Sequence, residues 1–416
     1  MRKGKARICA GRRGAVEHPL MGEDRSTGQL TEPGAAFGEL APFSISAQGQ
    51  ELTFYPAGKD RMDRLLGLIG GARESVRLCF YIFSPDDAGT RVRDALVEAA
   101  QRGVRVTLII DGFGADADEA FLQPLSDAGG NWHVFSSGWS QRYLIRNHQK
   151  MVIADGAAML GGFNISDEYF APPQVNGWSD LGVTVEGSAV AQLSRWFDEI
   201  ERWTANPRAN WIAVSRMIRD WKPGTGPVQL LIGGPTRTPS SWAQAIRKDI
   251  ARAQRLDMVM AYFSPASRMA RRIGNLARRG TVRFVMAGKS DNNATIGATR
   301  SLYVYLLGCG ARIWEFTACK LHTKLIVVDN AVYFGSANFD MRSLYVNLEV
   351  MLRIEDAALA GRMREFIGHQ MTASEEITPQ MNRRRATLFN RIRWNLAWFL
   401  VAVVDYNVSR RLNLGL

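Results

Sequence analysis

The chain has 416 residues, enough for two domains of ordinary size, and at 46% hydrophobic and 22% charged it falls in the globular range. That composition excludes bulk disorder and collagen-like or coiled-coil architectures. The formal charge of +12 sits at the ends: residues 1–20 carry +5 and residues 381–416 carry +6, leaving +1 for the body, so no nucleic-acid partner is expected.

Residues 1–50 are rich in Gly, Ser and Ala without clear periodicity, which predicts a flexible basic arm. Ile8, Cys9 and Ala10 are followed at once by Gly11-Arg12-Arg13, so the basic start lacks the apolar run of a cleaved signal peptide. Residues 76–112 then read as an apolar strand ending in Phe83-Ser84-Pro85, an amphipathic helix, an Arg102-Gly103 corner and a second apolar strand. Residues 256–288 repeat that order around Phe263-Ser264-Pro265 and Arg279-Gly280. Both halves continue with a helix near 118–128 and 295–307, a Gly turn, a short strand at 131–135 and 311–316, and a His-containing strand pair.

Buried strands alternating with helices predict an α/β protein of two homologous α/β/α sandwich lobes, 51–225 and 226–378, with the active site at their interface. The Pro- and Gly-rich stretch 221–227 suits the join. Residues 379–416 form a separate basic and apolar tail. There Arg383, Arg384, Arg385, Arg391 and Arg393 precede Trp394, Leu396, Trp398, Phe399 and Leu400, a pattern for an interfacial helix on an anionic leaflet, the alternative being a helix packed on the body. The longest apolar stretch, Trp394 to Val404, is well short of the roughly 20 residues a membrane span needs. The four cysteines, Cys9, Cys79, Cys309 and Cys319, form no C-x-x-C pair, which argues against a zinc module or a disulfide framework and suits a reducing compartment.

The chemistry lies in a repeated motif. His148-x-Lys150 is followed by Asp155 and Asn164; His322-x-Lys324 is followed by Asp329 and Asn338, every member displaced by 174 positions. With five histidines in the chain, two copies in register are not a coincidence of composition. In an extended segment His and Lys at i and i+2 project from one face. Two such segments meeting across a pseudo-twofold place two imidazoles, two ammonium groups and two carboxamides around one pocket, the parts needed to transfer a phosphodiester. One His attacks phosphorus, the other protonates the leaving oxygen, and Lys150, Lys324, Asn164 and Asn338 hold the non-bridging oxygens. No metal or other cofactor is required. Asp155 and Asp329 complete the catalytic motif but are expected to brace its loop more than to react. Asp180 and Glu349, each beside an apolar strand, are expected to orient the histidines, Asp180 on His148 and Glu349 on His322 by chain order. His18, His133 and His369 read as ordinary packed or surface residues. Two features stay open: Asp340, Arg342 and Ser343 either shape a headgroup pocket or cap a turn, and the Asp111–Gly114 loop is either a ligand loop or a plain turn.

At this point residues 51–378 resemble the phospholipase D superfamily, with both of its HKD motifs. The second half, Gly335-Ser336-Ala337-Asn338-Phe339-Asp340-Met341-Arg342-Ser343 followed by Asn347 and Glu349, is similar to bacterial cardiolipin synthases. The first half departs from that pattern with Gly162-Phe163 in place of Ser336-Ala337. The resemblance implies a phosphatidyltransferase that makes cardiolipin from phosphatidylglycerol through a covalent phosphohistidine, with His148 as nucleophile and His322 as acid. It also implies a peripheral protein at the cytoplasmic face of the cell membrane, partnered by an anionic phospholipid surface. A phospholipase D hydrolase releasing phosphatidic acid is the alternative, and a nuclease of the same superfamily a more distant one.

Overall fold

The computed structural model describes residues 37–136, 145–206 and 211–404. The first lobe opens with β1 (Phe43–Ala47), β2 (Gln50–Tyr55), α1 (Gly58–Gly71), β3 (Ser75–Phe80), α2 (Asp87–Gln101), β4 (Arg105–Asp111) and α3 (Glu119–Asp127). It continues with β5 (Asn131–Phe135), β6 (Met151–Ala154), β7 (Ala157–Gly161), β8 (Trp178–Ser179), β9 (Gly182–Gly187), α4 (Ser188–Thr204) and α5 (Trp211–Asp220). The second lobe runs through β10 (Val228–Gly233), α6 (Ser241–Arg252), β11 (Arg255–Met260), β12 (Phe263–Ser264), α7 (Ser267–Arg279), β13 (Thr281–Ala287), α8 (Asn293–Ser301), α9 (Tyr303–Gly308) and β14 (Arg312–Phe316). Then come β15 (Lys320–Leu321), β16 (Lys324–Val328), β17 (Ala331–Gly335), β18 (Phe339–Asp340), α10 (Met341–Tyr345), β19 (Glu349–Glu355), α11 (Ala357–Thr372), β20 (Ser374–Glu376), α12 (Pro379–Arg385) and α13 (Leu388–Trp398).

Each lobe is built on an eight-stranded sheet. The orders are β1-β2-β9-β7-β6-β3-β4-β5 and β10-β19-β17-β16-β11-β13-β14-β20. From β2 to β5 and from β10 to β14 the two orders match strand for strand, with an added edge strand at opposite ends. In both, the βα crossovers make the trio β3-β4-β5 or β11-β13-β14 parallel, and the remaining pairs are antiparallel, with tight hairpins at β6–β7 and β16–β17. Local caps agree with this plan: Asp86 and Asp118 accept the amides of Gly89 and Phe121 at 3.0 and 2.8 Å, starting α2 and α3.

Three apolar clusters fill the molecule. One lies under α1, α2 and α3, a second under α6, α7 and α9. The third lies between the two sheets, where α4 and α11 bring Trp196, Phe197, Met363 and Phe366 against strands of both lobes. Phe54 of the first lobe meets Phe334 of the second edge-on at 5.7 Å. Each large side chain buried there contributes about 1.5–3 kcal/mol, so the shared core holds the lobes in one relative position. That position is what sets the distance across the active site.

The structure corrects two boundaries. Phe43–Ala47 is a sheet strand, so the first lobe begins inside the expected arm 1–50; residues 1–36, with Cys9 and His18, lie outside the described residues. The tail is not separate, because Trp394 is buried against Gly297 of α8. Asp155 and Asp329 stand at the far ends of β6 and β16 from the histidines. Each takes the left-handed conformation (φ 47° and 46°) of a two-residue hairpin turn. The Asp155 carboxylate accepts the amides of Arg73, Glu74 and Ser75 at 2.8, 3.1 and 2.8 Å, and Asp329 accepts those of Gln254 and Arg255 at 3.1 and 2.9 Å. These aspartates tie a hairpin to the start of the neighbouring strand and have no contact with the reacting groups. Asp155→Ala, which strands these amides, is expected to cost about 1–3 kcal/mol in denaturant unfolding. The folded variant should keep its turnover; a folded variant without turnover would return Asp155 to the chemistry.

Candidate active site

The two histidines are placed by backbone pairing between lobes. Asn147 bridges to Leu348 of the other lobe, and the His148 amide donates to the Leu348 carbonyl at 3.0 Å. Reciprocally, β15 pairs with β8, and the His322 amide donates to the Ser179 carbonyl at 2.8 Å. The residue after each accepting carbonyl is an acid, so Glu349 is delivered to His148 and Asp180 to His322. His148 Nδ1 lies 2.9 and 3.1 Å from the Glu349 oxygens; His322 Nδ1 lies 2.8 Å from Asp180 Oδ2. The pairing expected from chain order is therefore reversed. Chain order was the wrong guide because each segment takes its partner from the opposite lobe.

Side chains alternate along the first segment as expected. Asn147 and Gln149 turn inward, where Gln149 donates to Asn147 and accepts from Trp196 Nε1 at 2.6 Å. His148 and Lys150 share the other face. Lys150 Nζ donates to the His148 carbonyl at 2.7 Å and Lys324 Nζ to the His322 carbonyl at 2.5 Å. Both lysines are buried, as are Asn164 and Asn338. Asn164 Oδ1 accepts the Ile82 amide at 3.2 Å, whereas Asn338 Oδ1 is buried without a hydrogen-bond partner. Aromatic rings wall the histidines: Tyr81 lies 4.9 Å from His148, and Tyr169 and Trp178 lie 5.1 and 5.2 Å from His322.

Electrostatics follow from burial. Desolvation, then Lys150 and Lys324, hold the His148 imidazole well below its ordinary value; the same forces, led by desolvation and Lys324, bring His322 down to about 4. Glu349 on His148 and Asp180 on His322 each reach across from the opposite lobe, so both lobes contribute to each histidine's setting. Burial pushes the Glu349 carboxyl up to about 8 against the opposing effect of Lys150 and of the Ser336 and Ser343 hydroxyls. Desolvation would raise Asp180 too, but the His322 hydrogen bond and charge, with Lys324 and Arg61, hold it below the carboxylate range. Lys324 falls to about 8 and Lys150 falls well below its usual value, both chiefly through burial.

One supporting residue, Arg61, carried no motif signal. Arg61 is fully buried in α1 and donates to the carbonyls of Asp180 and Tyr169 at 2.7 and 2.8 Å, and to those of Pro56 and Trp178. It fixes the segment that presents Asp180. Ser336 donates to Glu349, and its counterpart is Gly162. A Cβ at Gly162 would sit 2.6 Å from Asp180 Oδ1 and 2.8 Å from the His322 carbonyl oxygen, so the departure at this position makes room for the carboxylate. Asp340 caps α10 through the Ser343 amide at 2.8 Å, and Ser343 supports Glu349. The Asp111 carboxylate accepts the amides of Phe113, Gly114 and Asn147 at 2.9, 3.0 and 2.6 Å, so this loop is tied directly to the His148 segment. His369 is a packed residue, with Nε2 2.9 Å from the Gly38 carbonyl. A groove of about 1080 Å³ between residues 218–227 and α6 holds none of these groups. Among the described residues, no group of three or more His, Cys, Asp or Glu is placed to hold a metal ion.

Two outcomes test this geometry. Gly162→Ala should displace Asp180 and lower turnover about 100-fold with the fold intact, the scale expected of a misplacement near 1 Å; normal turnover would show that Asp180 is not held there. His322 is lowered on folding, so its neutral form supports stability above pH 6.5, and that support is lost as pH falls through about 4. Wild type should lose about 3 kcal/mol more than His322→Gln between pH 7 and pH 4 in denaturant titrations, and parallel losses would refute the shift.

A family model described as "Cardiolipin synthase, PLD-like domain" matches residues 65–201 and 246–371, one segment in each lobe. The chain is 31% identical over 337 residues to the major cardiolipin synthase of Bacillus subtilis (strain 168), covering 77% of this chain and 69% of that protein. It is also 31% identical over 340 residues to cardiolipin synthase A of Pseudomonas fluorescens (strain Pf-5), covering 79% and 70%. In fold it is similar to the phosphatidylserine synthase of Haemophilus influenzae, with a TM-score of 0.67 at 14% identity over 89% of this chain and 96% of that one. Family match, curated relatives and lobe architecture agree, and the chain belongs to the cardiolipin synthase PLD-like domain family.

Proposed function

We propose that the protein is a phosphatidyltransferase that makes cardiolipin and glycerol from two molecules of phosphatidylglycerol. The observation that carries the reading is the crossed pair His148–Glu349 and His322–Asp180, two imidazoles from two lobes each oriented through Nδ1 so that Nε2 is free to react.

The two ends of the site differ in the way the chemistry requires. His148 is held neutral, which suits a nucleophile. His322 faces an ionised Asp180, which stabilises an imidazolium when an anionic phosphate enters and suits an acid. His148 Nε2 bonds to phosphorus, the bond from phosphorus to the glycerol oxygen breaks, and the His322 proton passes to that oxygen. The terminal hydroxyl of the second phosphatidylglycerol then gives its proton to His322 and attacks phosphorus, breaking the P–N bond and restoring His148. The ammonium groups of Lys150 and Lys324 and the side-chain NH2 groups of Asn164 and Asn338 donate to the non-bridging oxygens. If water replaces the second lipid, the same intermediate yields phosphatidic acid, the hydrolase reading.

Membrane attachment is part of the proposal. Leu388, Phe389, Ile392, Leu396, Phe399 and Leu400 are exposed and recur at helical spacing along α13 and the turn that follows it. Arg383, Arg384, Arg391 and Arg393 are exposed beside them, while the opposite face is anchored through Trp394. An outward apolar stripe edged by arginine fits an anionic leaflet. Among the described residues no helix is long and apolar enough to cross a membrane.

Phosphatidylglycerol vesicles incubated with purified protein should yield cardiolipin and glycerol. His148→Ala and His322→Ala should each abolish it, and acid-quenched mass spectrometry should find the phosphatidyl group on His148. Phosphatidic acid as the sole product would favour the hydrolase, and a label on His322 would invert the two roles.

A further inference from the structure

The motif register extends one step upstream. Arg146, His148 and Lys150 alternate along one segment, and Lys320, His322 and Lys324 along the other, again 174 positions apart. The two upstream cations are used differently. Lys320 is engaged: its Nζ pairs with the Glu168 carboxylate and lies 4.6 Å from the Trp178 ring centroid. Arg146 has no carboxylate partner among the described residues. Its guanidinium lies 4.2 Å from the ring of Phe113, itself 59% exposed, and 5.9 Å from the ring of Tyr81, which packs on His148. Its Nε is buried without a hydrogen-bond partner, and the nearby Asp111 carboxylate is occupied by three backbone amides.

A planar cation held by two aromatic rings beside the attacking histidine, with Asp111 near it but no carboxylate in direct ion pair, is a preorganised anion site. The reacting phosphate is already provided for by the histidines and lysines. In the proposed reaction one other phosphate must approach: that of the acceptor lipid, joined to its attacking hydroxyl by a glycerol. Two steps along an extended segment span about 6–7 Å, comparable with the reach of that glycerol. Resting on the reading above, we propose that Arg146 binds the phosphodiester of the acceptor phosphatidylglycerol and so selects a phospholipid over water or a neutral alcohol as the acceptor.

The test compares acceptors in the full chain. Phosphatidylglycerol vesicles diluted in phosphatidylcholine are assayed for cardiolipin formation and, in parallel, for exchange of labelled glycerol into phosphatidylglycerol, which uses the same intermediate with an uncharged acceptor. The ratio of cardiolipin formed to glycerol exchanged should fall at least tenfold in Arg146→Gln, partly recover in Arg146→Lys, and match wild type in Lys320→Gln. Soluble glycerophosphoglycerol, offered as acceptor, should show the same dependence on Arg146; transfer to it that ignores Arg146 would overturn phosphate recognition. An unchanged ratio in Arg146→Gln, including one in which both activities fall together, overturns the inference while leaving the transferase reading in place. Wild-type protein that forms no cardiolipin overturns both.

Discussion

The site depends on an exchange of backbone between lobes. Among the amide–carbonyl bonds that cross between the lobes, His148 to Leu348 and His322 to Ser179 carry the site. Each is worth about 1 kcal/mol, far too little to hold two domains together. Their importance is geometric: each fixes the acid one residue further on against the imidazole of the other lobe. The apolar core between the sheets supplies the stability that lets such weak bonds set positions. A lobe on its own has a histidine without its orienting acid, so neither half of the duplication is a working unit.

Burying two lysines, two histidines and two acids in one place is costly, and the arrangement lowers the cost in identifiable ways. Lys150 and Lys324 spend one donor each on the carbonyl of their own histidine, which keeps the ammonium groups aimed while leaving donors for an oxyanion. Glu349 is braced by Ser336, and Asp180 by its own following amide at 2.7 Å. Arg61 donates through Nη1 and Nη2 to several carbonyls around Asp180, so a buried guanidinium is engaged by backbone rather than by a second carboxylate. That choice keeps the Asp180 oxygens for His322. A phosphodiester entering this cluster meets donors already oriented, so little reorganisation is left for the reaction itself.

The duplication, the motif register and the acids at 180 and 349 were legible because they recur at a constant offset and flank apolar strands. The pairing of acids with histidines was not, because a repeat read along one chain does not say that strands exchange partners between copies. Asp155 and Asp329 share the motif spacing, yet that spacing records a hairpin: a strand of four or five residues, then an aspartate able to adopt positive φ. The strand Phe43–Ala47 was hidden because it is short, half-exposed and lies on the sheet edge, where alternation is weak. Arg61 gave no sign because a lone arginine in an amphipathic helix looks like any surface charge until its burial is known.

Where the copies differ, the differences follow a pattern. The shorter acid, Asp180, faces Gly162, which has no side chain to support it and no room for one; the longer acid, Glu349, faces Ser336, which donates to it. One histidine consequently meets an ionised carboxylate and the other a carboxyl raised by burial. Upstream, the cation of the second copy is neutralised by Glu168 and that of the first stands on exposed Phe113. A symmetric pair of sites would bind a phosphodiester equally well in either direction. Asymmetry in acid, support and flanking charge gives the pocket a polarity, and a two-step transfer needs one: a fixed side for the leaving alcohol and its replacement, opposite a fixed nucleophile.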